Sequence, residues 1–330
     1  MSAAECRSIL ADGSVMTICA TRRERAGRAD VKCAGAGGPQ LAERMQQVVR
    51  LARLTEPRFD SRDQVLLTAD RAPAPHERDW ELAAVLADRM ARGVLPPQPG
   101  LAANGWSDEW HLGRVGGHAH GAGREGLLLG GPGGVTHLGA LHGQSCASGA
   151  VSGARAWFPL HSGGINDSLC WVEVSVYPLA APAGEEEDTI AVPGLDVTGQ
   201  LAVRQALAAA RRFDARAEGR WRTAVRFGQP RFHGKSYELA LVVADRMARG
   251  REFLARGRVI ATGCSSAWQS GRVDTVEGLA PKCALILAQA APGDRILLPR
   301  AWEAGLDAGF AAAVKAKGAS MACIEHIGLP

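Results

Sequence analysis

The segment Asp79–Gly93, DWELAAVLADRMARG, returns as Ser236–Gly250, SYELALVVADRMARG, with eleven of fifteen positions identical at an offset of 157. Self-similarity at a long fixed period marks a duplicated structural unit, and it constrains this chain more than any other feature. Two further pairs extend it. QLAERMQQVVRLARL from Gln40 matches QLAVRQALAAARRF from Gln200 at an offset of 160, and Phe158-Pro159-Leu160 matches Leu298-Pro299-Arg300 at 140. The fall from 157 to 140 predicts an insertion of about seventeen residues in the first copy only. It would fall in the stretch 94–134, whose PPQPG, GGHAHGAG and GGPGG read as loop. The turn formers of HSGGINDS, His161–Ser168, separate two hydrophobic segments and predict a boundary near residue 166. The expectation is a domain at 1–165 and a second at 166–330, an ordinary size for each.

Within the second copy, WVEVSVYPL from Trp171 alternates like a strand. GLDVTGQLAVRQALAAARRF predicts a turn and an alanine-rich helix. Tyr237–Arg249 is apolar on most faces, so it should be a largely buried helix closed by Gly250. RVIAT predicts a strand, Pro281 suits the first turn of a following helix, and RILL predicts another strand. The alternation is of mixed α/β type.

Composition narrows the function. A net charge of +4, scattered rather than gathered into a basic stripe, gives no support for nucleic-acid binding. No apolar run approaches the roughly 20 residues of a membrane span. The opening residues lack a basic segment followed by an apolar core, so a cytoplasmic chain without a secretory signal is expected. Eight cysteines without a C-x-x-C pair then read as free thiols rather than a disulfide set.

The sequence HGKS from His233 raises the question of a phosphate loop. That motif needs a glycine five positions before Gly234, but Gln229 stands there and Gly228 is one residue too early. Pro230 also removes a backbone donor from the would-be cradle. A small-molecule kinase is thereby disfavoured, and no cofactor is implied.

Five segments, in order, resemble the proteolytic domain of the Lon family, a serine–lysine peptidase. They are VPGLDVTGQLAVRQAL, HGKSYELAL, VIATG, GRVDTVEGLAPK and LLPRAW. The second occupies the place of the family's G-P-S-A-G nucleophile motif. The fourth is similar to its G-x-V-x-x-I-G-G-x-x-x-K segment, with Lys282 eleven residues after Gly271. The resemblance implies an α+β, ribosomal-S5-domain-2-like fold, present twice in tandem. It places Ser236 as nucleophile and Lys282 as general base, with Gly234, Lys235, Tyr237, Thr262 and Gly263 around the oxyanion and substrate. The chemistry is consistent: a serine hydroxyl needs a base, and a lysine can serve if burial keeps it neutral. Ser236 also precedes a helix whose free N–H groups could meet an oxyanion. The sequence departs from the family at Tyr237-Glu238, which replace a small Ala-Gly pair and are expected to crowd the cleft. Lys235 replaces proline. Glu277 replaces the first motif glycine, and a buried carboxylate there would oppose a neutral Lys282.

The first copy has Asp79 where the second has Ser236, and no lysine occurs between Lys32 and Lys235. Aligning GGVTHLGALHGQ from Gly133 with the lysine motif puts Gln144 in the place of Lys282, and an amide is no base. This copy should keep the fold and lack the dyad, with Asp79 as a helix cap over a core of Leu82, Ala83, Val85, Leu86 and Met90. His111, His118, His120, His137 and His142 match no common metal-ligand spacing, and a solvated loop is expected. The functional expectation is a motor-less Lon-like serine endopeptidase acting on flexible protein or peptide substrates. A separate ATPase or unfoldase would be its partner, and a homo-oligomer is compatible. The alternative is a catalytically inactive scaffold that binds a partner.

Overall fold

The computed structural model describes residues 2–24, 30–56, 63–143, 151–161, 167–179, 190–214, 220–229, 231–250 and 255–328. The chain is mixed α/β and divides into two compact units, Met1–Ser152 and Gly153–Pro330.

Unit 1 runs β1 (Ala3–Ile9), β2 (Val15–Glu24), β3 (Asp30–Gly35), α1 (Gly38–Arg53), β4 (Asp63–Ala69), α2 (Trp80–Ala91), β5 (Ala102–Asn104) and β6 (Leu127–Leu129). Its sheet has the order β3-β4-β2-β1-β5-β6, antiparallel at β4-β2-β1 and parallel at both edges. Unit 2 runs β7 (Ser152–Leu160), β8 (Ser168–Leu179), β9 (Ile190–Ala191), α3 (Val197–Phe213), β10 (Arg220–Phe227), α4 (Glu238–Ala248), β11 (Val259–Ala261), α5 (Leu279–Gln289), β12 (Arg295–Pro299), α6 (Phe310–Ala316) and β13 (Ser320–Ile324). Its sheet order is β13-β12-β11-β7-β8-β10-β9.

Read from the same end, the two sheets are one topology. β1 corresponds to β7, β2 to β8, β3 to β9, β4 to β10, β5 to β11 and β6 to β12, with β13 an addition in unit 2. The repeat therefore begins at β7, and the contact boundary lies at Ser152/Gly153 rather than near residue 166. His161 follows one strand and Ser168 opens its neighbour in the same sheet, so HSGGINDS joins β7 to β8 inside unit 2. Turn-forming residues mark a strand connection as readily as a domain junction.

Two of the three repeat anchors shift accordingly. The buried positions Met45, Val48, Val49 and Ala52 of α1 match Val203, Ala206, Leu207 and Ala210 of α3, an offset of 158 rather than 160. Phe158-Pro159-Leu160 lies on β7, whereas Leu298-Pro299 lies on β12, and these strands are not counterparts. The third anchor is instead Gly113-Arg114-Val115, repeated letter for letter as Gly271-Arg272-Val273. Each glycine ends a 3-10 turn in the left-handed region, at φ 68° and 73°. The length difference also runs opposite to expectation. Unit 2 inserts α5 between Gly278 and β12, whereas unit 1 passes from the equivalent Gly121 through turns into β6. Gln144 lies outside the described residues.

One helix in each unit is buried almost throughout. α2 is buried at all twelve positions, and α4 at ten of eleven, because both are apolar on most faces and packed against sheet and helix. Leu82, Ala83, Val85, Leu86 and Met90 are core as expected. The buried aspartates on these helices are satisfied by a network present in both units. Asp88 binds Arg53 and Arg92, and Arg92 also binds Glu56. Asp245 binds Arg211 and Arg249, and Arg249 also binds Asp214. In each case arginines beside the buried aspartate hold its carboxyl below the usual range, against the opposing effect of burial.

The stretch 94–134 is more ordered than its composition suggests. It contains β5, β6 and the 3-10 turn Trp110–Leu112, and His111 is buried there. Burial pushes the His111 imidazole down to about 4. His137 is also buried.

Candidate functional site

Ser236 is held at the end of β11 by its own backbone. Its carbonyl accepts from Gly263 N–H at 3.4 Å and from Thr262 Oγ1 at 3.3 Å. Gly263 O in turn accepts from Leu239 N–H at 3.1 Å, so the first turn of α4 is stitched to the strand. Gly263 has φ 155°, and a Cβ there would stand 3.1 Å from Val273 Cγ1 and 3.3 Å from Leu239 Cδ2. Only glycine lets helix and strand approach this closely. Thr262 is fully buried, so Thr262 and Gly263 fix the Ser236 backbone and do not line a cleft. Gly234, at φ 83°, and Lys235 are exposed on the approach to the helix.

Tyr237 and Glu238, expected to crowd the cleft, point into the protein. Tyr237 packs edge-on against Phe227 and Phe232, with centroids 5.4 Å and 5.1 Å away, and beside Phe158. These contacts make its ring part of the core rather than a wall of the cleft. Glu238 Oε2 accepts from Trp268 Nε1 at 2.9 Å and from Ser265 N–H at 3.1 Å. Burial raises its carboxyl above the usual range, partly offset by those bonds. Glu81 repeats the arrangement in unit 1 with Trp110 Nε1 at 2.7 Å and Ser107 N–H at 3.4 Å. A carboxylate at this position is therefore part of the duplicated scaffold.

Lys282 lies in the first turns of α5, 7% exposed, with its N–H donating to Gly278 O. Gly278 caps the helix in the left-handed region at φ 80°. Among the described residues Lys282 has no ion-pair partner. Burial lowers its ammonium below the ordinary lysine range, with Glu277 opposing. Glu277 is exposed, so water screens its field and burial prevails. Lys282 feels the Cys264 thiol, and Cys264 directly follows the Thr262-Gly263 pair that holds Ser236. The structure thus brings the surroundings of Ser236 and Lys282 to one end of β11.

Three neighbours had no signal in the sequence. Cys264 Sγ donates to Thr275 O at 3.2 Å, and burial raises its thiol. His161 and Asp167 form a hydrogen-bonded pair at 2.7 Å. All three are isolated letters in unlike segments, and only the parallel pairing of β7 with β11 gathers them.

Unit 1 closes the equivalent place. Asp79 O accepts from Gly105 N–H at 2.7 Å, the counterpart of the Ser236–Gly263 bond. The Asp79 side chain makes no helix cap, because its backbone is already helical at φ −57°, ψ −25°. Its carboxylate instead accepts from Ala119 N–H at 2.9 Å and His120 N–H at 2.7 Å. Asn104, the counterpart of Thr262, binds Ser8 Oγ and the Ile9 backbone. Among the described residues of unit 1, the helix that bears Lys282 has no equivalent. Among the described residues no group of three or more His, Cys, Asp or Glu side chains is arranged to hold a metal ion.

The chain matches no family model and no curated protein.

Proposed function

We propose that unit 2 is a serine peptidase of Lon type that works without a motor domain, using Ser236 as nucleophile and Lys282 as base. The observation that carries this reading is a buried lysine with no ion-pair partner among the described residues, near the end of β11 to which the Ser236 backbone is locked. A buried lysine kept as an ammonium would be costly unless paired, so burial shifts Lys282 toward the neutral amine that a base must be.

The steps follow from that state. Ser236 Oγ attacks the scissile carbonyl carbon while its proton passes to Lys282 Nζ. Glu238 N–H is engaged by Lys235 O and Leu239 N–H by Gly263 O, so the oxyanion is met by the N–H groups of Ser236 and Tyr237. The Lys282 ammonium protonates the leaving amine, and water then releases the acyl group by the same route. Substrates are flexible protein or peptide segments, or chains delivered by a separate unfoldase. No helix among the described residues is long and apolar enough to cross a membrane.

The test is incubation with a peptidyl boronate or fluorophosphonate, followed by peptide mapping. Labelling of Ser236 that Ser236→Ala abolishes supports the reading. Labelling elsewhere, unaffected by that change, defeats it. No labelling and no cleavage would favour an inactive scaffold that binds a partner.

A further inference from the structure

β7 and β11 run parallel, with Val259 opposite Ala156 and Ile260 opposite Trp157. Continuing that register past the paired residues brings His161, just beyond β7, to the same end of the sheet as Thr262, Gly263 and Cys264. The contacts of Gly278 locate the ring more closely. A Cβ placed on Gly278 would lie 3.6 Å from His161 Cδ2 and 3.6 Å from Lys282 Cε. The imidazole edge and the end of the Lys282 stem therefore flank one small space above Gly278. Cδ2 adjoins Nε2 in the ring, so the nitrogen nearest this space is Nε2.

The other ring nitrogen is committed. His161 Nδ1 stands 2.7 Å from Asp167 Oδ2, and an ionised carboxylate can only accept, so Nδ1 carries the proton of the neutral ring. That tautomer leaves Nε2 as a lone-pair acceptor. The His161 side chain is 30% exposed and that of Asp167 is 24% exposed, so the pair is partly open to solvent.

Unit 1 offers a comparison within the same chain. Arg7 pairs with Ala102 on β5, which makes Ala11 the counterpart of His161. The unit that has Asp79 in place of Ser236 and lacks the Lys282 helix also lacks this imidazole.

Resting on the peptidase reading, we propose that His161, oriented by Asp167, positions the Lys282 amine by accepting a hydrogen bond from Nζ at Nε2, directly or through one water. It is a positioning residue that acts through Lys282, not a catalytic residue touching the substrate. Lys282 still passes the Ser236 proton to the leaving amine, so this role adds no proton to the cycle.

The experiment measures cleavage of fluorescein-labelled casein, an unfolded substrate that needs no motor, by wild type, His161→Ala, His161→Gln and Asp167→Asn. The expected result is a fall in kcat of at least about tenfold for both His161 variants, with KM changed less than threefold. Added imidazole should restore much of the rate of His161→Ala, whose cavity admits it, and none of that of His161→Gln. Asp167→Asn should give a smaller loss. Wild-type kcat in His161→Ala overturns the positioning role, and so does a loss that imidazole leaves unchanged while the melting temperature holds. In both cases, labelling of Ser236 by a fluorophosphonate shows that the peptidase reading itself survives. A wild type that neither cleaves casein nor labels at Ser236 overturns both.

Discussion

Asp79 and Ser236 occupy one place in two copies of the same fold: each gives its backbone carbonyl to a glycine N–H at the end of the adjacent strand, Gly105 in one case and Gly263 in the other. Their side chains do opposite things. The Asp79 carboxylate accepts from Ala119 and His120 and is wholly buried, whereas Ser236 has no such engagement among the described residues. Asp79→Ala should therefore orphan two backbone donors and cost about 1–3 kcal/mol. Peptide cleavage by unit 2 should stay within twofold of wild type. Thermal unfolding and casein cleavage on the same preparation check both halves.

Glu238 tests whether the departure next to the serine is scaffold or chemistry. Glu238→Ala leaves Trp268 Nε1 and Ser265 N–H unpaired in a buried setting, with an expected loss of about 1–3 kcal/mol. Glu238→Gln keeps an acceptor and should lose much less. Burial raises the Glu238 carboxyl in the folded state, so the native protein binds this proton more tightly than the unfolded chain. Stability from this residue therefore falls as pH rises from the ordinary glutamate range through the raised value. Urea unfolding of wild type and Glu238→Gln across that window should show a flatter profile in the variant.

For Lys282 the sign is reversed. Its folded-state ammonium is lowered by burial, so the unfolded chain binds the proton more tightly. Stability should rise with pH between the lowered value and the ordinary lysine value near 10.4. Lys282→Met should be more stable than wild type below that window, because it buries no charge. Lys282→Arg should abolish turnover, since a guanidinium stays protonated. The rate of the wild type should rise with pH as the ammonium titrates. A pH–rate profile beside a pH–stability profile measures both.

The duplicated ionic network predicts a large and symmetric effect. Asp88→Ala and Asp245→Ala each remove a buried carboxylate that two arginines share, Arg53 and Arg92 in one unit and Arg211 and Arg249 in the other, at a cost of about 3–5 kcal/mol. The two aspartates have lowered folded-state values, so this contribution is present above the ordinary aspartate range and is lost as pH falls through them. Asp88→Asn and Asp245→Asn should each unfold at lower denaturant concentration than wild type at neutral pH. Their difference from wild type should shrink in acid.

Residue order alone reveals that the chain carries one unit twice, that Asp79–Gly93 and Ser236–Gly250 form buried helices, and that one copy has both a serine and a lysine at usable spacing. Those features are local: they live in identity, apolar periodicity and residue type, and need no knowledge of what lies across the sheet. Where the repeat begins was decided by tertiary pairing, because β7 opens unit 2 only through its place between β11 and β8. Sheet position also rules out Phe158-Pro159-Leu160 as an anchor, because it shares only the proline with Leu298-Pro299-Arg300 and its strand β7 is no counterpart of β12. Glu238 reads in sequence as an obstruction and in the fold as an acceptor for Trp268, since burial direction depends on which face of the helix meets the strand. His161 lies 121 positions from Lys282 along the chain, and no spacing rule joins them. Parallel strand pairing and a glycine without a Cβ bring them together, which is a property of packing and not of pattern.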